Sequence, residues 1–143
     1  MRVLDLYSGL GGFSEAFVLA GDEVLRVENN PLLQEVPHTT MQDVRAVSER
    51  LHLYHAQGQP VREYDVLLAG VPCDAFSFGF HAPQAVASRS GEYDTYEPDM
   101  TDLECTLDII RITKPRYWII ENVIGSIKHL SLIHISEPTR QHW

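Results

Sequence analysis

The chain has 143 residues, of which 44% are hydrophobic, and a formal net charge of −9 at pH 7. This length fits one domain with a core of its own. The acidic balance argues against a free-standing nucleic-acid clamp, because phosphate binding relies on Lys and Arg. Two cysteines are too few for a disulfide framework and lack the spacing of a zinc site, so we expect a cytoplasmic protein without a metal. No apolar run is long enough to cross a bilayer, and we expect a monomer without a membrane partner.

The first elements follow a strand–turn–helix pattern. A strand is predicted over residues 2–7, a glycine-rich turn over 8–13, and helical spacing continues to Gly21. In doubly wound sheets such glycines let the backbone approach a ligand closely, although they also serve in tight turns without a ligand. The spacing Gly9-x-Gly11-Gly12 differs from the GxGxxG of dinucleotide sites, which disfavours a nicotinamide-dependent dehydrogenase.

Two acidic residues mark the next part of the chain. A second strand over 23–27 ends at Glu28, where such folds bind ribose hydroxyls; a solvated loop carboxylate is the alternative. A weak third strand over 38–41 precedes Asp43, which is predicted to cap the helix that follows. The same carboxylate is also placed to accept a hydrogen bond from an exocyclic amine. The polar stretch 54–62 is predicted to be a surface loop.

A cysteine follows the next predicted strand. The apolar run 64–69 indicates a short buried strand, which gives way to a loop at Gly70 and Pro72. The next residue, Cys73, therefore lies just past the carboxyl end of a strand, where α/β sheets place their ligands and chemistry. The alternative is a small buried hydrophobe, which free cysteines often are.

The rest of the chain contains a long loop, a helix and a strand. The segment 81–98 has no clear period and is typical of a lid or binding loop, in which Arg89 would contact a phosphate; a plain surface excursion is the alternative. A helix is predicted over 99–113 and an apolar strand over 117–120. Because an ionised carboxylate is costly to bury, Glu121 directly after that strand is predicted to face a site.

This alternation predicts the fold class. We expect an α/β, doubly wound, mostly parallel sheet of about five strands with helices on both faces. The ligand crevice should lie at the carboxyl ends of the first and fourth strands.

Four motifs in this order resemble the cytosine-C5 DNA methyltransferases. They are Asp5-Leu6-Tyr7-Ser8-Gly9-Leu10-Gly11-Gly12-Phe13, Glu28, Pro72-Cys73-x-x-Phe76-Ser77 and Glu121-Asn122-Val123. The match covers about residues 1–128. It implies a Rossmann-like, S-adenosylmethionine-dependent methyltransferase fold that is incomplete at its C-terminus. Residues 1–129 would be the N-terminal part of the catalytic domain, with cofactor-binding and catalytic motifs.

The resemblance also implies roles for individual residues. The residues implied to bind S-adenosylmethionine are Tyr7, Ser8, Gly9, Gly11, Gly12, Glu28, Asn29, Asp43, Val44, Pro72 and Leu103. Within this set, Glu28 would bind the ribose and Asp43 the adenine amine. Cys73 would attack C6 of a flipped cytosine, and Glu121 would contact the base. Ser77, Arg89 and Asn122 would contact the substrate.

The chain departs from the family pattern in two ways. Asp74 stands where the family usually has Gln, and the family's later arginine motif, target-recognition domain and last cofactor-binding helix are absent. Double-stranded DNA would be bound through that missing region. Residues 130–140 resemble a translated sequencing-library adaptor, so we expect 130–143 to be an artefactual tail on an inactive fragment; a genuine divergent tail is the alternative. The alternatives are an RNA cytosine-C5 methyltransferase and an inactive S-adenosylmethionine-binding remnant.

Overall fold

The computed structural model describes residues 1–73 and 99–123. The chain divides into two compact units, of which the first comprises Met1–Pro72 and Asp99–Glu121. Of the second unit, the structure describes Cys73, Asn122 and Val123.

Some of the predictions lie outside the described residues. They concern Asp74, Ser77, Arg89, the binding loop 81–98 and the tail 130–143. These stay predictions.

The first unit alternates strands and helices. Its strands are β1 (Arg2–Leu6), β2 (Glu23–Glu28), β3 (Thr39–Met41), β4 (Val66–Gly70) and β5 (Tyr117–Glu121). Its helices are α1 (Glu15–Leu19), α2 (Val44–Ala56) and α3 (Thr101–Thr113), with a short 3-10 turn at Pro31–Leu33. The strand order is β3-β2-β1-β4-β5, and every neighbouring pair is parallel. The predicted α/β class is therefore confirmed.

Helices cover both faces of this sheet. The strand order reverses at β1, which pairs with β2 on one side and β4 on the other. Because parallel crossovers are right-handed, α1 lies on one face while α2 and α3 lie on the opposite face. In agreement, buried valines and Leu68 pack against Phe17 and Val18 of α1. Leu4 and Leu67, which belong to the opposite face of the sheet by the alternation of side chains along a strand, are equally buried.

The end of α2 differs from the sequence prediction. The helix continues through Tyr54 to Ala56, so the predicted loop over 54–62 starts later. Gln57 N–H still donates to a helical carbonyl, and Gly58 then adopts a φ of +65°. A glycine in the left-handed region commonly ends a helix. Because this glycine lies four residues after the start of the polar stretch at Tyr54, the helix extends into that stretch.

β5 is the edge strand of the described sheet, and its side chains are poorly covered. Tyr117, Trp118 and Ile119 are 56%, 40% and 53% exposed. The apolar composition of this strand therefore does not mean burial.

The buried centre of the sheet should dominate stability. Leu67 in β4 is fully buried, whereas Leu53 in α2 is 54% exposed. We expect Leu67→Ala to lower the free energy of unfolding by about 2–5 kcal/mol, because it leaves a cavity in a packed core. Leu53→Ala is the matched control and should change it by less than about 0.5 kcal/mol. Urea unfolding followed by circular dichroism measures both, and equal losses would contradict this location of the core.

Candidate functional site

The glycine-rich turn leaves β1 at its carboxyl end, beside the end of β2. Tyr7, Gly9 and Gly11 have φ values of +56°, +54° and +83°. Glycine adopts this region at little cost, whereas a side chain such as that of Tyr7 is strained there. Ser8 N–H donates to the Val27 carbonyl oxygen at 3.1 Å, which fixes the start of the turn to β2. The turn is therefore a defined structure at the edge of the sheet where ligands bind in such folds.

The Glu28 carboxylate links this turn to the end of β2. Its Oε2 accepts a hydrogen bond from Gly9 N–H at 2.8 Å. Its Oε1 accepts from Asn29 N–H at 2.9 Å and from Asn30 N–H at 2.8 Å. Hydrogen bonds to an ionised acceptor are among the stronger ones, so Glu28 is held in one orientation. A carboxylate has about four acceptor sites, so three bonds leave capacity for a ligand hydroxyl.

Asp43 caps α2, as the sequence predicted. Its Oδ1 accepts a hydrogen bond from Arg45 N–H at 2.8 Å, and its Oδ2 accepts from Asn29 Nδ2 at 3.4 Å. The second contact joins the end of β2 to the start of α2, where Val44 is buried. The cap is confirmed, whereas binding of an adenine amine stays a prediction.

Asp102 in the first turn of α3 connects this region to β1 and α2. The Tyr7 hydroxyl donates to the Asp102 carbonyl oxygen at 3.0 Å, and Arg45 Nε donates to the Asp102 carboxylate at 2.8 Å. Burial raises the pKa of the Tyr7 hydroxyl well above its ordinary value, which keeps it protonated as a donor. Leu103, the next residue, is buried. This role of Asp102 was not predicted, because its partners Tyr7 and Arg45 are far from it in the chain.

The strands that precede the candidate catalytic residues end side by side. Gly70 of β4 is paired in register with Glu121 of β5. Pro72 is exposed, and Cys73 is a half-buried free thiol. Glu121 is the last residue of β5 and is exposed, so its charge is not buried; that it faces a site stays a prediction. Asn122 accepts a hydrogen bond from Val123 N–H at 2.7 Å through Oδ1.

A buried polar cluster lies beneath the glycine turn. It consists of Asp5, Ser14 and Arg26, which are 0%, 0% and 2% exposed. This cluster was not predicted from the sequence. The available signal was the alternation of side chains along a strand, because it places Asp5 and Arg26, which are register partners, on the same face as the valines packed against α1.

Unsatisfied polar atoms occur at the same turn. Among the described residues, both oxygens of the Asp5 carboxylate and the Ser8 hydroxyl are buried without a hydrogen-bond partner. Such groups are costly unless water or a ligand satisfies them. The Ser8 hydroxyl and the remaining acceptor capacity of Glu28 fit a ligand that carries hydroxyl groups, as S-adenosylmethionine does. The Asp5 carboxylate is fully buried with Ser14 and Arg26 and is not part of this fit.

Comparison with known proteins identifies the family. The family model described as C-5 cytosine-specific DNA methylase matches residues 1–134. The chain belongs to this family. Of the alternatives that the sequence left open, the match favours a DNA enzyme over an RNA enzyme.

Individual relatives agree with this assignment. Type II methyltransferase M1.HphI of Haemophilus parahaemolyticus is 27% identical over 99% of this chain and 37% of its own length. M.DdeI of Desulfomicrobium norvegicum is 24% identical over 87% of the chain and 28% of its own length. M.HhaI of Haemophilus parahaemolyticus is 29% identical over 90% and 36%. The chain thus spans about a third of the length of these curated relatives. Within the described ranges, no helix has the length and apolar character needed to span a membrane.

Stability should depend on pH through Asp5. Burial raises the pKa of this carboxyl above its ordinary value of 3.8, although Ser14 and Arg26 act in the opposite direction. In the window between the unfolded and folded pKa values, the folded protein therefore binds more protons than the unfolded chain. The contribution of Asp5 to stability falls as the pH rises through this window.

We expect Asp5→Asn, which stays neutral, to gain stability relative to the wild type as the pH increases from the ordinary carboxyl value upwards. Urea unfolding at a series of pH values measures this difference. Glu35→Gln removes one negative charge at an exposed position and controls for net charge. A gain from Asp5→Asn that shrinks with increasing pH would contradict the raised pKa.

Proposed function

We propose that this chain is the cofactor-binding and catalytic part of a DNA (cytosine-5-)-methyltransferase. The single observation that carries the proposal is the junction of the glycine turn with Glu28, in a parallel sheet of a chain that belongs to this family. Because the chain spans about a third of its relatives, the activity belongs to the larger protein. The isolated chain is proposed to bind cofactor weakly and to lack turnover. A cytoplasmic location and a monomeric state remain predictions.

The proposed cofactor site surrounds the glycine turn. Glu28 accepts hydrogen bonds from the ribose hydroxyls, and Asp43 accepts one from the adenine amine. The remaining proposed contacts come from Tyr7, Ser8, Gly9, Gly11, Gly12, Asn29, Val44, Pro72 and Leu103. The unsatisfied Ser8 hydroxyl and the hydrogen bonds between Glu28, Asn29 and Asp43 support this assignment. When bound, S-adenosylmethionine supplies an electrophilic methyl group to C5 of the cytosine.

The proposed catalytic residues activate the cytosine ring. Cytosine C5 is a poor nucleophile. Attack of the Cys73 thiolate on C6 forms an S–C bond and moves the electron pair of the C5–C6 double bond onto C5 and the rest of the ring. Glu121 contacts the ring N3 and the exocyclic amine and stabilises the charge that develops there. After methylation, loss of the C5 proton restores the double bond and expels the Cys73 thiolate.

The target cytosine must be accessible to the catalytic residues. Atoms C5 and C6 are not reachable within the base stack, so the target cytosine is flipped out of the duplex. Ser77, Arg89 and Asn122 are proposed to contact this substrate. The duplex itself would be bound by the part of the relatives that this chain does not span, which agrees with the net charge of −9.

Cofactor binding tests the role of Glu28. We expect Glu28→Ala to weaken S-adenosylmethionine binding by about 1–3 kcal/mol, because the carboxylate receives the ribose hydroxyls and holds the turn through Gly9. Glu49→Ala removes an exposed glutamate of α2 and is the matched control. Isothermal titration calorimetry measures both affinities. Equal affinity of Glu28→Ala and wild type would remove Glu28 from the site, and tight binding of NAD would overturn the proposed function.

A mechanism-based substrate tests Cys73. We expect a polypeptide that joins this chain to the C-terminal part of a relative to form a covalent adduct with DNA that carries 5-fluorocytosine. Fluorine at C5 cannot leave as a proton does, so the reaction stops with Cys73 bonded to C6. Cys73→Ser should abolish the adduct, because a serine hydroxyl is hardly ionised at neutral pH.

Cys105 provides the internal control for this experiment. It is a half-buried free thiol within α3, so Cys105→Ser should leave the adduct intact. Denaturing electrophoresis with labelled DNA detects the product. An adduct that persists in Cys73→Ser, or one that disappears in Cys105→Ser alone, would show that Cys73 is not the nucleophile.

A further inference from the structure

Arg26 is a charged side chain in the interior of the sheet. It lies in the middle of β2 and is 2% exposed, on the face that packs against α1. Burying a guanidinium is costly unless its donors are satisfied. The contacts that satisfy it therefore show what this side chain does.

Three of these contacts are to the glycine turn and the residues that follow it. Arg26 Nη2 donates to the Gly11 carbonyl oxygen at 2.9 Å and to Glu15 Oε2 at 2.8 Å. Arg26 Nε donates to Ser14 Oγ at 2.9 Å. A fourth hydrogen bond runs from Nη1 to the Pro37 carbonyl oxygen at 3.1 Å, just before β3. The planar guanidinium thus joins the turn after β1 to the segment that leads into β3.

The same side chain explains why residue 11 has no Cβ. A Cβ built on Gly11 would lie 2.2 Å from Arg26 Cζ, far inside van der Waals contact. Gly9 has a positive φ as well, but a Cβ there would meet nothing within 4 Å. Arg26 therefore packs directly on the turn at Gly11 and not at Gly9.

We propose that Arg26 is a positioning residue that presets the glycine turn for S-adenosylmethionine, an inference that rests on the proposed function. Arginine carries only donors, so Arg26 satisfies the Gly11 carbonyl oxygen without competing for the turn's N–H groups. Those of Ser8, Gly9 and Gly11 donate within the protein and hold the same conformation of the turn. Holding the turn in one conformation before binding lowers the ordering cost that the ligand would otherwise meet. The role differs from that of Glu28, which contacts the turn from the side of Gly9.

Hydrogen exchange tests the presetting of the turn without any cofactor. Arg26→Lys keeps the charge but loses the planar fork, and Arg26→Met loses both. We expect both variants to accelerate amide exchange over residues 8–16 at least tenfold while β4 remains protected. Arg62→Met is the control, because Arg62 pairs with Glu23 of the same strand at the surface. Unchanged exchange in residues 8–16 of Arg26→Lys would overturn the positioning role.

A double-mutant cycle isolates the contact at Gly11. In the wild-type background Gly11→Ala meets both the guanidinium and the strain of a φ of +83°. In an Arg26→Ala background only the backbone strain remains, so Gly11→Ala should reduce the folding equilibrium constant at least tenfold less than in wild type. Gly9→Ala, with strain but no clash, should act by the same factor in both backgrounds. Additive effects at Gly11 would overturn the packing argument.

Cofactor affinity connects the turn to the ligand. With S-adenosylmethionine as the titrant, Arg26→Met should bind at least tenfold more weakly than wild type, Arg26→Lys should be intermediate, and Arg62→Met unchanged. Equal affinity in wild type and Arg26→Met would overturn the inference while leaving the proposed function intact. No binding by the wild-type chain would instead contradict the proposed function, and with it the ligand of this inference.

Discussion

The parallel direction of every neighbouring strand pair is the constraint on which the candidate site depends. Parallel strands need crossover helices and bring their carboxyl ends to the same edge of the sheet. One edge consequently holds the glycine turn after β1, Glu28 at the end of β2, and Gly70 and Glu121 at the ends of β4 and β5. Residues more than 100 positions apart in the sequence are collected there by topology alone.

Side-chain hydrogen bonds then connect the structural elements that meet at this edge. Glu28 bonds to the turn, Asn29 contacts the cap of α2, and Asp102 of α3 receives a hydrogen bond from Tyr7. Most of these residues are ones for which the family resemblance implies contact with cofactor. The same groups can therefore stabilise the arrangement of the elements and bind a ligand, and a substitution at any of them should be judged on both effects.

The sequence was sufficient for the fold class, because apolar runs, glycines and helix caps are local signals. The cap at Asp43 and the strand that ends at Glu28 were predicted for this reason. Long-range effects were not accessible. Burial of Arg26 depends on acceptors from the turn after a different strand, and exposure of Ile119 depends on the position of β5 in the sheet order. An apolar strand looks the same in a sequence whether it is central or peripheral.

The exposed edge of β5 has a practical consequence for handling the isolated polypeptide. Among the described residues β5 is the edge strand of the sheet, and its side chains Tyr117, Trp118 and Ile119 leave apolar surface exposed. This combination favours intermolecular sheet extension as the concentration rises. Solution measurements on the chain should therefore be made at low micromolar concentration, with light scattering as a check for aggregates.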